Sequence, residues 1–406
     1  MNKRKTAKIV LGVVLVLFSA AVSLDADAAA KPKVVSQPLL EISGWIPYWR
    51  KATGTQEAIA NIDTFKEINP FGYTVKQNGT LFDAMKIDEE PWLSLIKASR
   101  DKKIRIIPTV MWSNGAAIHK ILSKTKTRIA LEDEITALVK KNNFDGIDID
   151  FEGKYAETKP YFSTFLKGLY QRMGKKWVMC TVEARTPLDS RYEKIPKNIQ
   201  YANDYAALNN YCDRVRIMTY DQGSIDLKLN AAAPGPYVPI ADTKWVEKVI
   251  RLALKTISKN KIVIGVATYG YEYDVTPLKE EGYRYDLLWT FNSKYAFDLA
   301  GQLGIAPERN IAGEQSFTYT PTSTNAISPV AGTADIALSN NDVLATTTFS
   351  QTSISASAGA PFNILWWSDA AAIKDKVALA RKLGIRGIAV FKIDGGADPA
   401  IWDALK

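Results

Sequence analysis

Along the chain, short runs of β-branched and aromatic residues alternate with longer stretches whose apolar residues recur every three or four positions. The runs read as strands: Ile42–Trp49, Phe71–Val75, Ile104–Met111, Phe144–Glu152, Trp177–Glu183, Val215–Asp221, Ile262–Tyr269 and Gly387–Ile393. Between them lie helical periodicities. Phe162, Phe165, Leu166, Leu169 and Tyr170 share one face, as do Val246, Val249, Ile250, Ala253 and Leu254. The last long helix, about Ala371 to Leu383, stops at Gly384, where a helix-ending glycine is expected. Eight such alternations predict an α/β fold, a (β/α)8 TIM barrel, which ordinarily takes ~250 residues. An open doubly wound sheet is the rival, but no Gly-rich phosphate loop follows the first strand.

Two segments fall outside this pattern. Lys3, Arg4, Lys5 and Lys8 precede an apolar stretch of 14 residues, Ile9–Val22, and then Ala26-Asp27-Ala28 and Ala28-Ala29-Ala30. This is the layout of a secretory signal peptide over residues 1–30, with a mature domain over 31–406. The apolar stretch is short of the ~20 residues of a membrane span, which disfavours an uncleaved anchor. The second segment separates the seventh and eighth strands by about 90 residues, with alternating stretches such as Ser316–Thr320. It predicts a small inserted α+β lobe over about 272–362, beside the barrel mouth. Thr322–Ala360 is rich in Ser, Thr and Ala, but its scattered Val, Leu and Phe favour a folded lobe over a linker.

Composition narrows the chemistry. The 406 residues are 47% hydrophobic and 23% charged, an ordinary globular mixture. One histidine, His119, disfavours zinc hydrolases and a Ser–His triad, and reads as a packing or surface residue. No metal constellation is visible and no cofactor is expected. Two cysteines exclude a disulfide scaffold; Cys180 and Cys212 either pair after export or are simply small buried residues. Loss of residues 1–30 removes four bases and two acids, taking the net charge from +9 to +7. Without a dense basic stripe this does not suit nucleic acid, whereas attraction to an anionic wall is compatible with it. The mature protein is expected to be an extracytoplasmic monomer.

The segment that carries chemistry is Phe144-Asp145-Gly146-Ile147-Asp148-Ile149-Asp150-Phe151-Glu152. On a strand, Ile147, Ile149 and Phe151 face the helices while Asp148, Asp150 and Glu152 face the barrel interior. Several unpaired ionised carboxylates there would be severely unfavourable, which an enzyme has reason to accept and a scaffold does not. Glu152 also ends its strand, where barrel enzymes place their chemistry.

This stretch resembles the fourth strand of glycoside hydrolase family 18, the chitinase-like enzymes, whose D-x-x-D-x-D-x-E is matched by Asp145, Asp148, Asp150 and Glu152. Met218-Thr219-Tyr220-Asp221 is similar to the family's M-x-Y-D, and Gly44–Trp49 to its first strand. The insertion between strands seven and eight also falls where the family has one. Three positions depart from the chitinase pattern. Trp112-Ser113-Asn114-Gly115 stands for S-x-G-G, Phe391 stands where a Trp floors the sugar site, and Asp394–Pro399 is similar to the bacterial cell-wall and spore-cortex branch. The polymer is thus left open between chitin and peptidoglycan.

The resemblance implies a retaining glycosidase in which the substrate's own 2-acetamido group attacks the anomeric carbon. Glu152 would be the acid and then the base, Asp150 the partner of the acetamide, and Asp148 would share a proton with Asp150. Tyr220 would donate to the acetamide oxygen, and Asp221 would anchor the sugar. Aromatic residues at strand ends, Tyr48, Trp112, Tyr269, Trp366 or Trp367, and Phe391, are candidates to stack on sugar faces. Asn114, Glu183 and Arg185 are further candidates to reach the cleft. A carbohydrate-binding protein that has lost catalysis is the alternative, although such relatives typically lack the acid Glu. A barrel enzyme acting on plain glucans would need a protein nucleophile, which the match to the substrate-assisted acids disfavours.

Overall fold

Eight parallel strands with helices between them close on themselves in a computed structural model that describes residues 39–279, 282–321 and 359–406. The predicted signal peptide, and Thr322–Ala360 as far as residue 358, lie outside the described residues. β1 (Glu41–Pro47) pairs with β2 (Glu67–Val75), Gly44 opposite Ile68. On its other side β1 meets β8 (Gly387–Phe391), Ile42 opposite Ile388, so the sheet is a closed (β/α)8 barrel. β3 comes in two pieces, Arg105–Ile106 and Thr109–Trp112, interrupted at Pro108, which has no N–H for the ladder. β4 (Gly146–Phe151), β5 (Trp177–Glu183), β6 (Arg214–Met218) and β7 (Ile262–Ala267) complete the ring.

The helices form where the periodicities lie. Lys159–Met173 buries Phe162, Phe165, Leu166 and Leu169, and Thr243–Ala253 buries Val246, Val249, Ile250 and Ala253. Ala370–Leu383 starts at Asp369, whose carboxylate accepts from Ala372 N–H at 3.0 Å, and ends at Gly384 in the left-handed region at φ 62°. Cys180 on β5 is disulfide-bonded to Cys212, which follows the short helix Tyr205–Tyr211.

Between β7 and β8 the described residues form an antiparallel sheet of five strands in the order Tyr283–Asn292, Tyr269–Pro277, Phe362–Trp367, Gln315–Tyr319 and Glu308–Arg309. The helix Ser293–Leu303 packs Tyr295, Ala296 and Leu299 with Phe291, Phe317, Leu365 and Trp367 on one face of it. The sheet is wider than the spacing predicts, running from Tyr269 to Trp367. The cause is that one residue, Thr268, separates β7 from the first lobe strand.

Candidate active site

The alternation on β4 sorts its side chains. Ile147, Ile149 and Phe151 are fully buried in the main core, and Phe151 stacks on Phe165 with ring centres 5.4 Å apart. Asp145 begins the motif structurally, its Oδ2 accepting from Ile106 N–H at 2.8 Å. Asp148 points across the barrel and collects donors from three strands and a cation from a fourth. Trp45 Nε1 (2.9 Å) and Thr109 Oγ1 (2.8 Å) donate to Oδ2, and Thr181 Oγ1 (2.9 Å) donates to Oδ1. Arg216 Nη1 lies 3.0 Å from Oδ2. Burial pushes the Asp148 carboxyl up to about 6, against the pull of the three hydrogen bonds.

One pleat higher, Asp150 is buried and hydrogen-bonded to Glu152, while its Oδ1 has no hydrogen-bond partner. Burial, and then the charges of Glu152, Asp148 and Glu183, hold Asp150 well above the usual carboxylate range. Burial and the Glu183 charge raise Glu152 to about 7, Lys154 opposing. Lys154 is itself a buried cation, its Nζ 3.6 Å from Glu183 Oε2 and 4.9 Å from the centre of the Phe162 ring. Glu183 ends β5 and accepts from Gly153 N–H (3.1 Å) and Asn203 Nδ2 (2.7 Å). Burial would raise its pKa, but Lys154 and these donors hold it low.

Tyr220 faces the same row from just beyond β6. Its ring lies parallel to Phe391, with centres 5.7 Å apart, and Gly265 makes room for it, since a Cβ there would come within 2.9 Å of Tyr220 Cε1. Burial, and the charges of Asp150, Asp221, Glu152 and Asp148, push the Tyr220 phenol well above its usual range. Asp221 adopts φ 57°, a left-handed conformation uncommon for a residue with a side chain. Its Oδ1 accepts from Tyr269 Oη and Tyr271 Oη, both at 2.6 Å. Phe391 is the centre of an aromatic cluster, its ring meeting Trp45, Phe71 and Tyr269 as well as Tyr220. Tyr48 is exposed just after β1, edge-on to Trp49.

Several expected residues lie elsewhere. Trp112 is buried on the outer side of β3, edge-to-face with Phe151 at 5.4 Å; Met111, paired with Asp150, holds the inward position. Trp367 faces the lobe helix, 5.6 Å from Phe297, and Trp366 faces the opposite side of that strand, donating to Glu314 Oε2 at 2.8 Å. Both belong to a lobe strand, not to a barrel strand end. Asn114 caps the helix Gly115–Leu122, its Oδ1 accepting from Ala117 N–H at 2.9 Å. Arg185 is held between the rings of Tyr201 and Tyr205 and donates to the Asn203 carbonyl at 2.6 Å. It lines a separate hollow of about 450 Å³ that contains none of the three inward acids. His119 Nδ1 is 2.9 Å from Thr158 Oγ1 and its ring meets Tyr161, a packing role.

Sequence reasoning missed Tyr271, Lys154, Arg216 and the two threonines. Period-two placement in Tyr269-Gly270-Tyr271 and in Arg216-Ile217-Met218-Thr219-Tyr220 was the available signal.

With this geometry in place, likenesses to known proteins acquire a physical basis. The sequence profile described as "Glycosyl hydrolases family 18" matches residues 45–396. The uncharacterized glycosylase YvbX of Bacillus subtilis (strain 168) is 29% identical over 164 residues, 40% of this chain and 44% of YvbX. The cortical fragment-lytic enzyme of the same organism is 25% identical over 352 residues, 82% of this chain and 66% of that enzyme. The chain thus spans under two thirds of the length of either relative. A class V chitinase structure from Pseudomonas fluorescens Pf-5 shares the fold, with a TM-score of 0.66 at 20% identity over 90% of this chain and 98% of that one.

Proposed function

Because this chain belongs to glycosyl hydrolase family 18, we propose that it is a secreted retaining glycosidase cleaving β-linked N-acetylhexosamine polymers, peptidoglycan or chitin, with the substrate supplying the nucleophile. The observation that carries the reading is the inward row Asp148, Asp150 and Glu152, with Tyr220 facing it. Glu152, with a pKa near 7, retains a proton to give the glycosidic oxygen as the C1–O bond breaks. The acetamide oxygen closes on C1 in the same step, forming an oxazolinium. Asp150, leaving with Asp148 the proton the two share, turns to the acetamide N–H and balances the developing positive charge, and Tyr220, whose raised pKa keeps it protonated, donates to the acetamide oxygen. Water then opens the ring, delivering its proton to Glu152 and leaving the anomeric configuration retained. Asp221 anchors a neighbouring hydroxyl, a role supported by its orientation between the Tyr269 and Tyr271 hydroxyls.

The likeness to the cortical fragment-lytic enzyme favours peptidoglycan over chitin. The disulfide Cys180–Cys212 favours an oxidising, extracytoplasmic setting, consistent with the predicted signal peptide. The lobe is proposed to form one wall of the groove, presenting Tyr271, Tyr273 and Tyr285 in ring contact.

Glu152→Gln tests the assignment. Gln is nearly isosteric but has no proton to give, so kcat should fall by about 10²–10⁴-fold with melting and oligosaccharide binding retained. More than a small residual activity on an unactivated glycoside would remove Glu152 from the acid role. Reducing ends released from purified peptidoglycan and from chitin oligomers, measured side by side, decide the polymer. A glycosyl adduct trapped on any Asp or Glu would overturn the substrate-assisted route.

A further inference from the structure

Behind the wall that carries Glu183 lies a second concave surface that the proposed chemistry does not use. It is the hollow of about 450 Å³ lined by Arg185, within the size range of small-ligand sites. It opens between the start of the helix Lys159–Met173, the start of Tyr205–Tyr211 and the end of Thr243–Ala253. Lys159, Arg185 and Lys255 border it, and none of the three has an ion pair among the described residues. The one carboxylate in its lining, Asp204, caps a helix, its Oδ1 accepting from Ala206 N–H (2.9 Å) and Ala207 N–H (3.4 Å). The hollow is therefore electropositive.

Arg185 is held in place for contact. Its guanidinium carbon lies 3.8 Å from the centre of the Tyr201 ring and 4.2 Å from that of Tyr205. Of its N–H groups, one on Nη2 is taken by the Asn203 carbonyl at 2.6 Å, and the others have no acceptor among the described residues. A guanidinium fixed by two rings, with N–H groups to spare, suits the paired oxygens of a carboxylate. Two more lining residues hold unspent polar atoms: Tyr205 Oη and Asn203 Oδ1 are buried without a partner. Asn203 Nδ2 donates to Glu183 Oε2 at 2.7 Å, and a carboxylate only accepts, so Oδ1 is the atom left over. Both atoms lie just beneath the surface of the hollow, so a ligand meets them after a small side-chain adjustment.

We propose that this hollow is a second binding site, which takes the terminal carboxylate of a short peptide. Arg185 holds the carboxylate, Lys159 and Lys255 add attraction, and the Tyr205 hydroxyl donates to it. Asn203 Oδ1 accepts the neighbouring peptide N–H. The inference deepens the peptidoglycan reading and rests on it for the source of the peptide alone: that polymer carries peptides, and chitin carries none. Asn203 joins the two sites, since it lines the hollow and holds the Glu183 that acts on Glu152.

The first measurement needs no glycosidase activity. N-acetyl-dialanine with a free C-terminal carboxylate, in its L,L and D,D forms, is titrated into the protein by calorimetry, with the C-terminal amide as control. At least one form of the acid should bind, less well as salt rises, and its amide at least about tenfold more weakly, because a charged hydrogen-bond partner is lost. Arg185→Lys keeps the charge but not the fork, and should weaken the acid by at least about tenfold at an unchanged melting midpoint. If that variant does not fold, Lys159→Gln/Lys255→Gln alters only exposed side chains and should weaken the acid by about threefold at low salt. Equal binding of acid and amide, binding of neither, or an acid affinity indifferent to these variants would overturn the site. Inorganic phosphate displacing the acid at equal concentration would overturn its assignment to a peptide. Peptide-bearing glycan strands, and the same strands stripped by an amidase, then identify the source. A KM at least about threefold lower for the peptide-bearing strands, lost in Arg185→Lys, assigns the peptide to the substrate. Equal KM values with acid binding intact assign a free peptide. Acid bound with neither strand cleaved would sink the glycosidase reading and leave this site standing.

Discussion

In the reaction proposed above, Glu152 is the acid only while it holds its proton, and burial together with the Glu183 charge sets its pKa near 7. The sign follows directly: the acid form is lost as pH rises, so kcat should be flat below about 7 and fall about tenfold per pH unit above it. Because Asp150 and Glu152 interact, the limb belongs to the pair. Glu183→Gln removes a charge that raises Glu152 and leaves Lys154 without its anionic partner. Both effects favour the ionised form of Glu152, so the limb should move down by about one pH unit; a limb that stays or rises would show that Glu183 does not set this pKa. Tyr220→Phe should cost less kcat than Asp150→Ala, because a hydrogen bond is lost rather than a charge partner. At this scale the inward acids were legible because alternation on a strand fixes their face once the apolar side is known. Trp112 was misread for the same reason in reverse: the break at Pro108 hides the phase of β3, which turns Met111 inward and Trp112 out. Arg216 carries no motif of its own in the sequence, although it shares the parity of Tyr220.

The lobe shows how elements are fastened. Phe362, Ile364 and Trp366 face the cluster that contains Tyr220 and Tyr269, while Leu365 and Trp367 face the helix Ser293–Leu303. Glu314, fully buried, ties this sheet to the loop ahead of Thr243–Ala253. It accepts from Ile240 N–H (2.8 Å), Ala241 N–H (3.0 Å) and Trp366 Nε1 (2.8 Å), and lies 3.6 Å from Lys376 Nζ on the last long helix. Glu314→Ala strands two backbone donors, an indole N–H and a buried ammonium, and should cost about 3–5 kcal/mol of stability, read as a lower denaturation midpoint. If the lobe walls the groove, KM for long chains should rise more in this variant than KM for short oligomers. An equal rise for both would place the lobe away from the substrate. The existence of the lobe was legible from the excess chain between two strands. Its pairing was not, because Tyr269–Pro277 finds Phe362–Trp367 about 90 residues later, and no local pattern encodes that register.

Across the molecule, closure of the barrel leaves one covalent tie among the described residues, and it lies on the outer, helix-facing side of β5. Cys180 and Cys212, both fully buried, join β5 to the end of the helix Tyr205–Tyr211 across 32 residues. That loop carries Glu183, Arg185 and Asn203, so the tie restrains the wall from which Glu183 acts on Glu152. Closing a loop of this length restricts the unfolded chain by about 3–4 kcal/mol. The Cys180→Ala/Cys212→Ala variant should therefore lose roughly that much stability, read as a lower midpoint, while the folded barrel keeps its kcat at room temperature. Burial of both sulfurs adds a kinetic expectation: a mild reductant should leave native protein unlabelled by a thiol reagent, and labelling should begin only as the protein unfolds. The same tie bears on where the chain folds. Protein recovered from an oxidising compartment should carry no free thiol, and protein made in a reducing cytosol should carry two and melt earlier. Two free thiols in the exported protein, with an unchanged midpoint, would separate the disulfide from both stability and export.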